Sequence, residues 1–215
     1  MVEGSIKVLV AKAREKGIVV QNVSKLKLDE ISESENHQGV IAFCPVKEYV
    51  DVDYILDSAK RKKEDPFIII LDGVTDPHNL GAIMRTANAS GAHGIIIPKR
   101  RAVGLTGIVS KTSAGAIEYV PVAKVTNIAQ TIDDLKKKGI WVVAGDMHGR
   151  EIFNADLKGP IAIVLGSEGD GVGKLISKKC DFSVKIPMYG EISSLNVSVA
   201  SALLMYEVVR QRNFI

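Results

Sequence analysis

Cysteine and aromatic side chains are scarce: the 215 residues include two cysteines, one tryptophan and an aromatic share of 5%. Cys44 and Cys180 stand far apart, and no other residue lies near either of them at ligand spacing. That excludes a disulfide framework and a zinc site, and it fits a reducing compartment. No apolar run approaches the roughly 20 residues needed to cross a bilayer, and the first residues are too polar for a signal peptide. A cytoplasmic protein with no membrane partner and no bound metal is therefore expected. An excess of one charge is missing too, since 28 basic residues face 25 acidic ones. Net charge alone thus points to no nucleic-acid partner.

What is there is patterned. From about residue 66 onward, short apolar runs alternate with helical periodicity. The runs are Phe67 to Leu71, Gly94 to Ile97, Trp141 to Ala144, Ile161 to Leu165 and Phe182 to Ile186. Four of the five are almost continuously apolar, as strands covered on both faces require. Leu80, Ile83, Met84 and Ala87 recur at helical spacing after Asp76-Pro77, which supplies a cap and a first-turn proline, and Gly91 supplies a stop. Further helices are predicted over about 127–138 and 198–212. The alternation predicts an α/β fold with a mostly parallel sheet and helices on both faces.

Residues 1–48 read differently. A helix (about 4–16), a strand (18–20), a short helix (26–31) and a strand (40–43) make a small α/β piece with too little core to stand alone. Residues 49–65, charged and ending before Pro66, read as a linker to a domain over 66–215.

Basic residues gather at Lys60 to Lys63, Lys99 to Arg101, Lys136 to Lys138 and Lys178-Lys179. Such clusters can follow a phosphate backbone, or simply be solvated helix ends. Three glycine patterns fail as nucleotide loops. In the stretch Gly166 to Lys174, Glu168 occupies the first glycine position of a Walker loop and Lys174 is followed by Leu175. Lys174 also replaces the third glycine of a dinucleotide fingerprint. The first strand leads into Asp72-Gly73-Val74-Thr75-Asp76-Pro77, not into a glycine loop. Instead the Gly166-Ser167-Glu168-Gly169 turn, Ile186-Pro187-Met188 and Ser193 to Ser198 could converge on one ligand at the carboxyl edge of a sheet, or could be ordinary turns.

Three segments in order, Asp76-Pro77-His78-Asn79 through Ala87, Gly166-Ser167-Glu168-Gly169, and Ile186-Pro187-Met188 with Ser194-Leu195-Asn196-Val197-Ser198, resemble the motifs of the SpoU (TrmH-like) RNA ribose methyltransferases of the SPOUT superfamily. The resemblance covers about 66–212 and is greatest to the 23S rRNA guanosine enzymes. Residues 1–48, with His37-Gln38-Gly39-Val40, resemble the back half of the ribosomal-protein-like substrate-binding domain of those enzymes, its first half being absent.

The resemblance implies a C-terminal trefoil knot, S-adenosylmethionine as cofactor, a homodimer and an RNA partner. It also implies site residues. Arg85 would be essential for 2′-oxygen methylation, as base or as a phosphate-positioning cation; the second role suits a guanidinium that stays protonated. Asn79 would place the ribose or cap its helix. Glu168 would position the arginine or the surrounding loops. Asn196 would bond cofactor or arginine, or cap the last helix. The cofactor would be held by Leu165, Gly166, Gly169, Ile186, Met188, Ser194, Leu195 and Asn196. Of the histidines, His78, His93 and His148 are weighed as alternative bases. A different function, a non-catalytic RNA-binding protein on the same fold, is disfavoured by the presence of Arg85, Asn79 and Glu168 together.

Overall fold

The computed structural model describes residues 2–32, 37–43 and 46–214, with side chains from residue 6 onward. Cys44 lies outside the described residues. The chain divides into two units, 1–44 and 45–215.

In the first unit, helix α1 spans Val2–Glu15 and helix α2 spans Lys25–Ile31. Ser24 caps α2 by accepting a hydrogen bond from the Lys27 amide. The strands expected at 18–20 and 40–43 do not form: neither segment is in a ladder, and none of the described side chains of this unit is buried. A strand needs a neighbour to pair its backbone groups and cover its apolar face. Neither segment finds one.

The second unit opens with a correction. The stretch read as a linker carries helix α3 (Val52–Lys62), on which Ile55 and Ala59 are fully buried. Its charged residues sit on the solvent face, which is why composition alone suggested a connection. Six strands follow: β1 (Phe67–Asp72), β2 (Gly94–Pro98), β3 (Val122–Val125), β4 (Trp141–Glu151), β5 (Ile161–Gly166) and β6 (Phe182–Lys185). They form one sheet in the order β3-β2-β1-β5-β4-β6, with every pair parallel. Helices α4 (Pro77–Ala89), α5 (Gly107–Thr112), α6 (Ile128–Lys137), α7 (Lys174–Lys179) and α8 (Val197–Phe214) connect and cover it.

Both faces of the sheet are covered because successive strand residues point to opposite sides. Ile69 and Leu71 of β1 pack with Leu80, Ile83 and Met84 of α4 and with Leu204, Met205 and Val208 of α8. Ile68 and Ile70 pack on the other side with Ile55 of α3 and Ile128, Ile132 and Leu135 of α6. Each of these buried side chains contributes up to roughly 1.5–3 kcal/mol of burial.

Helix α4 starts where its sequence places it. Asp76 accepts from the His78 amide at 2.9 Å, Pro77 occupies the first turn, and Gly91 follows the end at a φ of 73°. Helix α8 lies along the sheet from one edge to the other. Its start adjoins the carboxyl ends of the strands, while Arg212 near its end donates to the carbonyls of Asp65 and Pro66, both at 3.1 Å, just ahead of β1.

Candidate functional site

The strand order makes one crevice favourable. At the adjacent carboxyl ends of β1 and β5, the chain leaves β1 for α4 on one face of the sheet and leaves β5 for α7 on the other. Diverging connections of this kind open a ligand-sized gap at the strand ends. Asn79 stands in the first turn of α4 and Glu168 just beyond β5. Asn196 precedes α8.

These three side chains meet. Asn79 Nδ2 donates to Glu168 Oε1 at 3.1 Å, and Asn196 Nδ2 donates to Asn79 Oδ1 at 3.0 Å and also to Glu168 Oε1. The other end of the Asn196 amide is occupied too, because its Oδ1 accepts from the Ser198 amide at 2.9 Å and the Ser198 hydroxyl at 2.6 Å. Asn196 therefore caps α8 and joins the cluster at once. Of the roles weighed for it, the helix cap is present, and in place of the arginine its amide holds Asn79 and Glu168. Asn79 is 6% exposed, so its polar groups depend on these partners.

The loop after β5 is held tightly. The Gly171 amide donates to the Ser167 carbonyl at 3.0 Å, and the Gly173 amide donates to Asp72 Oδ2 at 3.0 Å, tying the loop to the end of β1. Gly169 and Gly171 have φ of 92° and 66°, the left-handed region that disfavours a side chain. A Cβ on Gly166 would lie 1.8 Å from the Gly171 carbonyl carbon, so backbone passes where any side chain would be.

Beside this cluster is a cavity of about 960 Å³. All eight residues expected to hold a cofactor line it: Leu165, Gly166, Gly169, Ile186, Met188, Ser194, Leu195 and Asn196. Leu204, Ala200 and Val184 add to the apolar part of its wall. Its charged residues are Asp146, Glu151, Glu168 and Glu191 against Lys185. Such a wall suits a neutral ring system attached to a cation. It opposes a polyphosphate.

Sequence reasoning missed Gly145, Asp146, Met147 and Glu151, which also line the cavity. The expected strand stopped at Ala144, where the apolar run ends. In fact β4 continues to Glu151, and both Gly145 and Arg150 pair with Val184 of β6, so the intervening residues bulge out of the ladder. Gly149 allows the return, since a Cβ there would meet the Ser183 carbonyl carbon at 2.5 Å. The Asp146-Met147-His148-Gly149 stretch carried a weak signal of this kind, two polar residues and a glycine after the apolar run.

Arg85 is not part of the cluster. It is exposed on α4 and has no hydrogen bond or ion pair among the described residues. Among the histidines, His93 is settled by its contacts. It is 3% exposed, its Nδ1 accepts from the Phe67 amide at 3.0 Å, and its Nε2 faces Glu64 Oε2 at 3.0 Å. Burial pushes its pKa below the ordinary value, with the Glu64 bond opposing. It is a structural histidine at the amino end of β1, away from the cavity.

Residues 66–206 match the SpoU rRNA methylase family, and residues 3–50 match the RNA 2′-O ribose methyltransferase substrate-binding family. The chain belongs to the SpoU methylase family. It is 53% identical over 213 residues to YacO of Bacillus subtilis (strain 168), named as a TrmH family tRNA/rRNA methyltransferase, covering 99% of this chain and 85% of that protein. Among solved structures it is similar to the SpoU methyltransferase AviRb from Streptomyces viridochromogenes in complex with AdoMet, at 32% identity and a TM-score of 0.68. That match covers 75% of this chain and 61% of AviRb, so the chain spans only about six-tenths of that protein. It is also similar to the A. aeolicus TrmH/SpoU tRNA modifying enzyme, at 29% identity and a TM-score of 0.62, covering 73% of this chain and 83% of that one. The expected α/β fold with a mostly parallel sheet is the fold of these SPOUT proteins.

Proposed function

We propose that this chain methylates a ribose 2′-oxygen of structured RNA, with S-adenosylmethionine as methyl donor and a guanosine of 23S rRNA as target, acting in the cytoplasm as a homodimer. The observation that carries this reading is the meeting of Asn79, Glu168 and Asn196, one from each motif, on a cavity whose wall is apolar and acidic.

The residues present fit the donor. Leu165, Ile186, Met188 and Leu195 offer apolar surface for a purine, and the backbone of these strand-end turns offers amides and carbonyls for its polar edge. The carboxylates of Asp146, Glu151 and Glu191 favour a sulfonium cation nearby. S-adenosylmethionine supplies an electrophilic methyl group when bound. The chain supplies position. In-line approach of a hydroxyl to a methyl carbon demands fixed geometry, and holding reactants in place can account for much of an acceleration. The Asn79–Glu168–Asn196 cluster locks three strand or helix ends into one rigid frame for that purpose.

Arg85 offers a planar fork of N–H donors and no acceptor. Its task is to hold the phosphate next to the target ribose and to stabilise the developing alkoxide as the hydroxyl proton passes to solvent water. Its exposure on α4, outside the cluster, supports a dimeric site in which the arginine of one copy faces the cavity of the other. Val199, Leu203 and Tyr206 form an apolar strip on the solvent side of α8, with exposures of 47%, 47% and 50%. A second copy would cover it.

Calorimetric titration with S-adenosylhomocysteine tests the cofactor part without RNA. Saturable binding near one site per chain is expected, and transfer of labelled methyl to unmodified rRNA with mapping of the 2′-oxygen completes the test. A folded protein that binds no S-adenosylhomocysteine and transfers no methyl group overturns the reading.

A further inference from the structure

The four basic clusters are equivalent in sequence and opposite in place. Because all six strands are parallel, every segment that precedes a strand lies at one edge of the sheet and every segment that follows one lies at the other. Lys60 to Lys63 end α3 and precede β1, Lys136 to Lys138 end α6 and precede β4, and Lys178-Lys179 end α7 and precede β6. These three clusters occupy the amino edge, at helix C-termini where cations are favoured for the fold's own sake. Arg61, Lys136, Lys137, Lys138 and Lys179 are also engaged there, while Lys60, Lys62, Lys63 and Lys178 have no ion pair among the described residues. Lys136 pairs with Asp181 at 2.8 Å, Lys137 with Asp134 at 3.0 Å, Lys138 with Asp53, and Lys179 with Asp133 at 2.6 Å. Arg61 lies over the Tyr54 ring at 5.4 Å.

Lys99-Arg100-Arg101 follows β2 and so lies at the carboxyl edge, with the cavity. The Lys99 amide donates to the Val125 carbonyl at 2.7 Å, and the Val103 amide donates to the Val74 carbonyl at 3.0 Å, seating this loop against the one that leads into α4. Thr112 Oγ1 lies 3.4 Å from the Pro77 carbonyl, bringing neighbouring Lys111 to the same edge. Lys99, Arg100, Arg101, Lys111 and Arg85 are all exposed, and none has an ion pair among the described residues. Acids at this part of the edge are already engaged: Asp76 accepts from the His78 amide and Asp72 from the Gly173 amide.

We infer that four unpaired cations beyond β2, Lys99, Arg100, Arg101 and Lys111, form the track for the RNA phosphates that leads to Arg85, and that the amino-edge lysines take no part in RNA binding. The edge is polarised: basic over β2 and acidic around the cavity beyond β5. A polyanion and a sulfonium cation are thereby kept to separate parts of each copy's edge. The inference rests on the RNA methyltransferase reading and adds to it which surface meets the substrate.

The test compares two doubly neutralised chains with the unaltered one, using 23S rRNA transcribed in vitro as probe. Arg100→Gln/Arg101→Asn removes two carboxyl-edge charges; asparagine suits the left-handed φ of 59° at position 101. Lys137→Gln/Lys138→Gln removes two at the amino edge. Each lost phosphate contact flattens the slope of log affinity against log salt by about 0.7–0.9, so the first variant is expected to flatten it by about 1.4–1.8 and the second to leave it unchanged. Equal slopes for the two variants, or a flattening confined to Lys137→Gln/Lys138→Gln, overturns the inference. So does RNA binding by the unaltered chain that ignores salt. S-adenosylhomocysteine titration of the same preparations keeps the two claims apart. Loss of cofactor binding in the unaltered chain fails the methyltransferase reading, while the salt slopes still decide the surface.

Discussion

Asn79 and Glu168, 89 positions apart, are joined by a hydrogen bond of 3.1 Å from an amide that is almost wholly buried to a carboxylate that is exposed. The bond ties the first turn of α4 to the loop after β5, and Asn196 adds the start of α8. Asn79→Ala removes the shared link without touching the cavity wall. Methyl transfer is expected to fall about 10²-fold, the scale of a small misplacement of reacting groups, while S-adenosylhomocysteine affinity stays within a few-fold. Steady-state rates and titration on one preparation check this. Unchanged turnover would show that the cluster has no positioning role.

Arg85→Ala is expected to abolish methyl transfer and leave thermal stability unaltered, because the side chain is exposed and makes no partner among the described residues. Arg85→Lys should recover little, since an ammonium cannot reproduce the planar fork that grips a phosphate. A thermal melt beside the activity assay distinguishes a lost function from a lost fold. Normal turnover in Arg85→Ala removes it from the site.

Gly166→Ala would put a methyl carbon 1.8 Å from the Gly171 carbonyl carbon, which is backbone and cannot rotate away. The loop must move. Overpacking of this kind costs about 1–3 kcal/mol or more, and the displaced loop lines the cavity. A lowered melting temperature together with weakened S-adenosylhomocysteine binding is expected. Wild-type values for both would mean that the loop packs differently.

His93 makes stability depend on pH. Its folded pKa is lowered, chiefly by burial, so in mild acid the unfolded chain binds a proton that the folded chain resists. Stability is full above the unfolded value of about 6.5 and declines as pH falls from there through the folded value. Melting temperatures across pH 5–8 for the wild type and His93→Gln measure the effect. The variant should lose part of the acid-side decline, though it begins less stable. Parallel curves would assign the decline to other groups.

Much of this was legible in the order of residues. Ile68 to Ile70 and Ile161 to Leu165 read as doubly covered strands because an unbroken apolar run has no polar face to show to water. Asp76-Pro77 announced α4 because capping is a matter of a few adjacent atoms. Helix α3 carries the same signal, with Val52, Ile55, Leu56 and Ala59 at helical spacing, but the charged residues between them read as a connection, and its place on the sheet came only with the structure. The two small strands of the first unit failed for the opposite reason: local preference without a pairing neighbour.

By itself the sequence determined the alternation of strands and helices, which depends on periodicity, and the three motif segments, whose family resemblance implied eight of the residues that line the cavity. Only the tertiary structure decided which of them touch. It joined Asn79, Glu168 and Asn196, left Arg85 outside, and carried β4 past Ala144 to bring Asp146 and Glu151 to the wall. It also divided four similar basic clusters between opposite edges of the sheet. Hydrogen bonds and charge pairs act over a few ångströms, and the distance between segments far apart in sequence is set by strand order, which no local pattern contains.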